Sequence, residues 1–343
     1  MPSTDLLEVN DQRQAIAKMM DLAHQSLLKT EDQITVDLMR VYQQHVDSLI
    51  NDLMVMNAEY MTGGEPDFTK WRQMELDTRS AKLIADRMGI LEDEATKQLM
   101  DGLTDFYKTA YDYTSWGIDQ ATPPDVAINY NIPSDAFIRS YVSSPWEGEQ
   151  FSDAKWRIDT KMANRIQEGL TDAIARGDSV RTFAKSIREL TGVPTGEKLV
   201  TRPRASAQLY RATMIARTEM IRVARLAQKQ TFDDNRDLIE DEVWTAVSAS
   251  GRTCEHCQDR DGMTRTQIVN GEAADDLEVD PPAHPNCRCF YRPKLKSWKD
   301  LLGKYGEGME DLEHIDEYEM KVKNPQGGGL QKVDIKSFEE WNA

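Results

Sequence analysis

Cys254-Glu255-His256-Cys257 and His284-Pro285-Asn286-Cys287-Arg288-Cys289 hold all four cysteines of a 343-residue chain, inside a window of 36 residues. Cys254-x2-Cys257 is spaced as a chelating knuckle, and His284-x2-Cys287 repeats the spacing with a histidine in first place. Tetrahedral zinc is held by two such pairs brought together in space. The pattern predicts a small metal-stapled module within a larger, mainly helical protein. Working outward, Pro285 restricts His284 to an extended backbone and so orients its imidazole. The 26 residues between Cys257 and His284 form a loop that the metal would close.

Five candidate ligands compete for four places. In an extended chain Cys287 and Cys289 point the same way and Arg288 points oppositely, so both thiols can approach one ion. The spacing admits Cys254, Cys257 and Cys289 with either His284 or Cys287, and equally Cys254, Cys257, His284 and Cys287. Ligands in excess argue for a closed structural zinc site, because a catalytic zinc keeps a position for water. Such a site contributes on the order of 10 kcal/mol to folding, comparable to the whole stability of a domain. His256, inside the first knuckle, is expected to face outward. Disulfides and unliganded core thiols are the alternatives; a reducing cytosol favours metal.

The rest of the chain reads as a globular protein, 29% charged and 39% hydrophobic. No run of 18 apolar residues suggests a membrane span. The opening MPSTDLLEVNDQRQ lacks the basic and apolar regions of a secretory signal. The net charge of −17 is uneven: residues 1–150 balance at −14, residues 151–240 at +5 and residues 241–343 at −8. An acidic N-terminal half is repelled by phosphate backbones, which disfavours general nucleic-acid coating. The basic middle reads most simply as a solvated helix face.

Hydrophobic spacing organises the chain into an α+β, predominantly α fold. Ile16, Met19, Met20, Ala23 and Leu27 mark one helical stripe. Thr30, with Gln33 as capping-box partner, is expected to start a second helix carrying Ile34, Leu38, Val41, His45, Leu49, Leu53 and Met56. His45 is expected to be a packed or edge histidine, and the methionines to fill core gaps. A third helix is expected over residues 68–88, broken by Gly89, and a fourth over 91–116. Together residues 1–116 make an N-terminal helical arm. Residues 117–152, interrupted by prolines, form an irregular connector with one short helix over 134–142. A second domain over 153–296 opens with helices over 153–175, from 179 to about 190, and 205–232, with a basic loop at 198–204. Val243-Trp244-Thr245-Ala246-Val247 is a candidate strand, Asp261-Gly262 a hairpin-type turn, and Phe290-Tyr291 the close of a short strand. The Cys/His module occupies 243–293. In the tail, 297–343, a helix is expected over 298–305. Gly327-Gly328-Gly329 reads as a flexible hinge, and residues 334–341 as a short helix or docking peptide whose Trp341 packs on a neighbouring subunit or on its own domain.

Three segments resemble the phage Mu F-like head morphogenesis family, also called minor head or minor capsid proteins. They are Ile215-Ala216-Arg217-Thr218-Glu219; Val243-Trp244 followed by Gly251-Arg252-Thr253-Cys254-x2-Cys257 and Asp261-Gly262; and Pro281-Pro282-Ala283-His284-Pro285-Asn286-Cys287-Arg288-Cys289. The resemblance covers about residues 155–295. It departs at Ser250-Gly251, where an acidic residue is common in the family. It implies a virion structural protein, present in few copies near the portal vertex, which assists head assembly, genome packaging or DNA delivery. The implied partners are the portal protein and/or the major capsid protein, with possible contact with packaged DNA and none with membrane. The implied location is the virion head, and host cytoplasm during assembly.

Two other classes are weighed. An enzyme or toxin-linked module finds no P-loop, no G-x-S-x-G elbow and no H-E-x-x-H; a zinc hydrolase would need a water position and a carboxylate such as Glu255 or Asp259. The expectation is no enzyme. A zinc-dependent nucleic-acid binder would rely on Arg202, Arg204, Arg211, Arg217, Arg222 and Arg225, spread around a helix in an acidic protein. Arg217 is expected to project toward the metal module, Thr218 to bond back to a carbonyl, and Glu219 to pair with Arg222.

Overall fold

The computed structural model describes residues 7–9, 12–59, 61–62, 65–66, 70–121, 128–143, 151–176, 180–192, 208–247, 253–273, 275–296, 331–333 and 341. The expected loop at 198–204, the helix at 298–305, the glycine hinge and residues 334–340 lie outside them. The described fold is mostly helical, with long N-terminal helices and a two-stranded antiparallel sheet beside the Cys/His cluster. In chain order it comprises β1 (Leu7–Val9), α1 (Gln12–Ala58), β2 (Met61–Thr62), β3 (Glu65–Pro66), α2 (Lys70–Ala121), α3 (Asp135–Val142) and α4 (Phe151–Arg176). These are followed by α5 (Val180–Thr191), α6 (Gln208–Asp234), β4 (Ile239–Thr245), α7 (Glu255–Asp259), α8 (Arg265–Val269), β5 (Phe290–Leu295) and β6 (Gln331–Val333).

Two expected helix boundaries do not exist. Thr30 caps nothing: its hydroxyl donates to the Ser26 carbonyl one turn back, at 3.3 Å, and α1 runs on through it. Gln33 likewise donates to Asp37 and closes no capping box. Gly89 does not break α2, which is continuous over 52 residues. A single glycine costs about 1 kcal/mol in a helix interior. Burial of Ile84, Met88, Leu91, Ala95 and Leu99 on one stripe across it outweighs that cost. Leu38, Leu49 and Leu53 of the expected α1 stripe are buried, and the stripe departs from its expected setting between them. Tyr42 and Val46 are buried, whereas Val41 and His45 are half-buried, and His45 Nε2 meets Glu94 Oε2 at 2.8 Å.

The chain divides into two compact units. One comprises Glu31–Thr104 and Ala136–Glu219. Its interior is aliphatic, from Leu38 and Leu49 of α1 to Ile166 of α4 and Ile187 of α5. A few polar ties cross it. The Tyr42 hydroxyl donates to Asp159 at 2.8 Å, and burial followed by the Asp159 charge pushes that phenol well above its ordinary pKa. Gln167 and Thr171 both donate to Asp77 Oδ1 at 2.8 Å. Arg217 pairs with the fully buried Glu31 at 3.1 Å and with Asp32 at 3.3 Å. Its guanidinium, expected to project toward the metal module, is engaged by these two carboxylates. Thr218 does bond back, to the Met214 carbonyl at 2.8 Å.

The other unit comprises Met1–Thr30, Asp105–Asp135 and Met220–Ala343. Its core joins Ile118, Phe232, Leu238, Trp244, Ile268, Tyr291 and three of the cysteines. β4 and β5 pair antiparallel, with Trp244 opposite Tyr291 and Thr245 opposite Phe290, and an irregularity between Ile239 and Asp241. The ribbon is shifted from the expected one. β4 begins at Ile239, four residues before the valine-rich run, and β5 starts at Phe290 and continues to Leu295. Trp244 and Tyr291 meet edge to face, with ring centroids 5.5 Å apart. Residues 128–131 are held on the end of α6. Asn129 N–H donates to Asn235 Oδ1 at 2.7 Å, and the Tyr111 hydroxyl donates to Asp234 at 2.8 Å. Trp341 lies on its own chain, its indole N–H bonded to Asp119 at 2.9 Å and its ring beside Tyr130.

Candidate metal centre

Asp261-Gly262 sets the first knuckle against the sheet. Gly262 takes a positive φ of 85°, a conformation open to glycine without a Cβ penalty. The turn closes with Met263 N–H to the Arg260 carbonyl at 2.9 Å. The Gly262 N–H donates to the Trp244 carbonyl at 2.9 Å, and Trp244 N–H donates to Met263 O at 2.8 Å, so the turn docks on β4 as a partial third strand. Cys254 caps α7, its sulfur accepting the Cys257 N–H at 3.4 Å. That turn brings both thiols to one side and leaves His256 exposed.

The second knuckle is a tight turn in which Cys287 N–H donates to the His284 carbonyl at 3.0 Å. Asn286, at φ 62°, supplies the left-handed residue, a place that asparagine tolerates better than most. The His284 ring is oriented from behind. Its Nδ1 lies 2.9 Å from the Pro285 carbonyl, which only accepts, so Nδ1 carries the proton and Nε2 faces the thiols. Metal-binding histidines are oriented in this way by an outer carbonyl.

All five candidates converge. His284 Nε2 stands 3.2 Å from Cys254 Sγ and 3.3 Å from Cys257 Sγ, and Cys257 and Cys287 sulfurs are 3.9 Å apart. Two overlapping groups, Cys254–Cys257–His284 and Cys257–Cys287–Cys289, each keep their ligand atoms within 4.8 Å of one another. A tetrahedral zinc with ordinary bond lengths separates two sulfurs by about 3.8 Å and sulfur from nitrogen by about 3.5 Å. The donor set therefore fits a soft divalent ion without rearrangement of the backbone. The cysteines are free thiols, and 3.9 Å is nearly twice a disulfide bond of about 2.05 Å.

The electrostatics favour a cation. Hydrogen bonds from Cys257, then Cys289, hold the Cys287 thiol far below its usual pKa, and the bond to Cys287 in turn raises Cys257. The bond to Cys287 pushes His284 up to about 9, against the effect of burial. A proton on Nε2 thus occupies the place that a metal ion would take.

Arg260 and Arg265, which the sequence reading missed, secure the intervening loop together with Arg225. Arg260, only 1% exposed, forks onto Asp275 and donates to the Glu278 carbonyl at 2.5 Å and the Leu277 carbonyl at 2.9 Å. Its guanidinium also lies over Trp244, 5.2 Å from the ring centroid. Further along, Asp280 accepts from Arg225 of α6 and from Arg265 of α8 at 2.9–3.3 Å, and Arg225 also reaches Glu242 of β4 at 2.6 Å. Burial would raise Asp280, but the Arg265 bond and the Arg225 charge carry it below the usual carboxylate range. No spacing rule pairs these residues; a paired acid and base at 260 and 275 are invisible until the loop is folded.

His24 of α1 supports the second knuckle. It stacks on Phe290, centroids 4.0 Å apart, and its Nε2 donates to the Arg288 carbonyl at 2.9 Å. Burial lowers its pKa to about 4, from an ordinary 6.5. The folded state therefore prefers the neutral ring. Its contribution is complete above pH 6.5 and is lost as the pH falls through about 4, amounting to roughly 3 kcal/mol. Urea unfolding of wild type and His24→Phe between pH 7 and 4 checks this. Acid sensitivity shared by both proteins belongs to the metal ligands, and the wild type is expected to lose stability more steeply by about one proton. Parallel profiles would refute the assignment.

Residues 164–292 match the family described as Phage Mu protein F like protein, so the chain carries a domain of that family over this stretch. The match contains both knuckles, all of α6 and β4, and the first half of β5. No curated protein and no solved structure matches the chain significantly. Among the described residues no helix is long and apolar enough to cross a membrane.

Proposed function

We propose that this chain, with its Mu F-like domain over residues 164–292, is a phage minor head protein acting near the portal vertex in head assembly, genome packaging or DNA delivery. The observation that carries the reading is the coincidence of the family match with two knuckles folded onto one point. In this reading the Cys/His cluster is a structural zinc site, with four of Cys254, Cys257, His284, Cys287 and Cys289 as ligands. Bound zinc would supply a cross-link between the two ends of the loop. The stiffened module over 243–293 presents a surface to portal or major capsid subunits. The N-terminal arm, residues 1–116, lies in the half of the chain whose charge balances at −14. It serves as a protein-binding or spacing element and not as a grip on DNA.

The nucleic-acid reading draws less support from the arginines it needs. Arg217, Arg222 and Arg225 are buried, and Arg217 and Arg225 are committed to carboxylates. The test is composition of particles: the protein is expected to co-purify with portal protein from procapsids or mature heads. Its absence from both would overturn the proposal.

A further inference from the structure

We infer that Trp341 and the socket that holds it form an exchangeable contact, and that a second copy of this chain supplies the tryptophan where copies are held together. The socket is built from residues far from 341 in sequence. Met19 and Ala23 of α1 and Trp116 of α2 are buried in one cluster, and Leu22 and Tyr113 pack against its edge together with Trp341. Gly117 closes the floor. A Cβ there would stand 2.7 Å from the Met20 sulfur, so glycine lets α1 and α2 draw together with Met20 in place. Tyr113 braces Trp116 edge to face, with ring centroids 6.3 Å apart. These contacts are made between α1 and α2 themselves, so the socket is preformed.

The chemistry of the socket selects an indole. Its walls are apolar and aromatic, and its rim offers Asp119 Oδ2, which accepts the Trp341 indole N–H at 2.9 Å and the Gln120 amide at 3.0 Å. Tyr130, 46% exposed, meets the indole edge to face at 5.9 Å and is itself fixed by its hydroxyl to Asp112 at 2.6 Å. A large apolar ring with a donor on its edge satisfies the walls and the carboxylate at once. Beside it, β6 pairs antiparallel with β1, from Leu7 opposite Val333 to Val9 opposite Gln331. So short a ribbon does not hold on its own. Trp341 is therefore the anchor of this segment.

Covalent linkage does not dictate which copy's tryptophan fills the socket. Residues 297–330 lie between Lys296 and β6, and a chain of that length reaches up to about 110 Å. A second copy presents the same side chain to the same socket, so the contacts of the closed form are reproduced between copies. Under that condition exchange of an element between protomers costs little. Concentration then decides. A tethered segment meets its own socket at an effective concentration of about 1 mM. Dilute protein is therefore closed on itself, and exchange sets in where copies are seated more densely than that.

Complementary variants of the full-length protein test the exchange. Trp341→Ala keeps the socket and lacks the anchor; Leu22→Glu with Asp119→Ala keeps the anchor and blocks the socket. Neither can close on itself. Each alone is expected to stay monomeric in sedimentation velocity up to about 1 mM. Their mixture is expected to form a one-to-one dimer, tighter than the self-association of either by about 30-fold or more, the least that an interface loses with a hot-spot tryptophan. Fluorine NMR of fluorotryptophan-labelled protein reports whether the same socket is used. The Trp341 resonance, assigned by its loss in Trp341→Ala, should lie at a solvent-exposed position in the socket-blocked variant. It should return to its wild-type position when unlabelled Trp341→Ala is added. A mixture that stays monomeric, or a dimer in which that resonance does not move, would rule out the exchange. A wild-type resonance already at the exposed position would rule out the socket itself. Where the double variant loses its helical circular dichroism, Asp119→Ala alone repeats the measurement with the same expected direction.

Discussion

On the zinc reading, removing the metal, or replacing Cys257 by serine, is expected to release residues 253–287 from the β4–β5 ribbon. Cys257 belongs to both groups of converging ligand atoms, so every ligand set open to the site loses a member with it. A structural zinc site is worth on the order of 10 kcal/mol, against a domain stability of about 5–15 kcal/mol. The loss falls on a module whose core is small: Cys257, Cys287 and Cys289 are themselves among its buried residues, beside Trp244, Ile268 and Tyr291. Hydrogen exchange reads the outcome directly. The amides of Trp244, Gly262 and Cys287, each donating within the module, should lose protection on chelation and regain it when zinc is restored. Unchanged protection in the chelated protein would mean that hydrophobic contacts alone hold these residues.

The second large effect is expected from Arg260→Ala, which should cost about 3–5 kcal/mol, the range for breaking a buried ion pair from one side. The side chain of Asp275 is 4% exposed, and it would keep its charge with the Leu277 N–H in place of the forked guanidinium. The carbonyls of Leu277 and Glu278 would lose their donor at the same time, and Trp244 the cation above it. Arg260→Lys should recover only a small part, because one ammonium cannot make the forked contact. Combining Arg260→Ala with Asp275→Asn should be milder than the sum of the single changes by roughly 1–3 kcal/mol. Additive urea-unfolding energies would show that the pair is not coupled.

The convergence of the cysteines and His284 was legible because chelating motifs have a sequence period. Two knuckles of fixed spacing can be recognised without knowing the path between them, and Asp261-Gly262 announces its own turn. The helical class was legible for the same reason, since burial of one face imposes a spacing of three or four. What failed were the stops. Thr30 and Gly89 look like punctuation locally, but the stripes of α1 and α2 run through them, and packing outweighs a weak local preference. Long-range partners were also hidden. Arg217 was expected beside the metal and is held by Glu31, and His24 carried no signal linking it to Phe290. Such pairings follow from the tertiary path, which no local pattern encodes.

His24 and Arg288 are 264 positions apart, yet one hydrogen bond joins them. A ribosome adding about 5–20 residues per second needs roughly 10–50 s to deliver the second after the first. Over that interval the apolar face around Met19, Met20, Ala23 and Leu27 has been made but the knuckle that covers His24 has not. This unit therefore cannot finish co-translationally from its front end. Its completion is a late event, gated by synthesis of the last knuckle and, on the zinc reading, by the supply of metal to it.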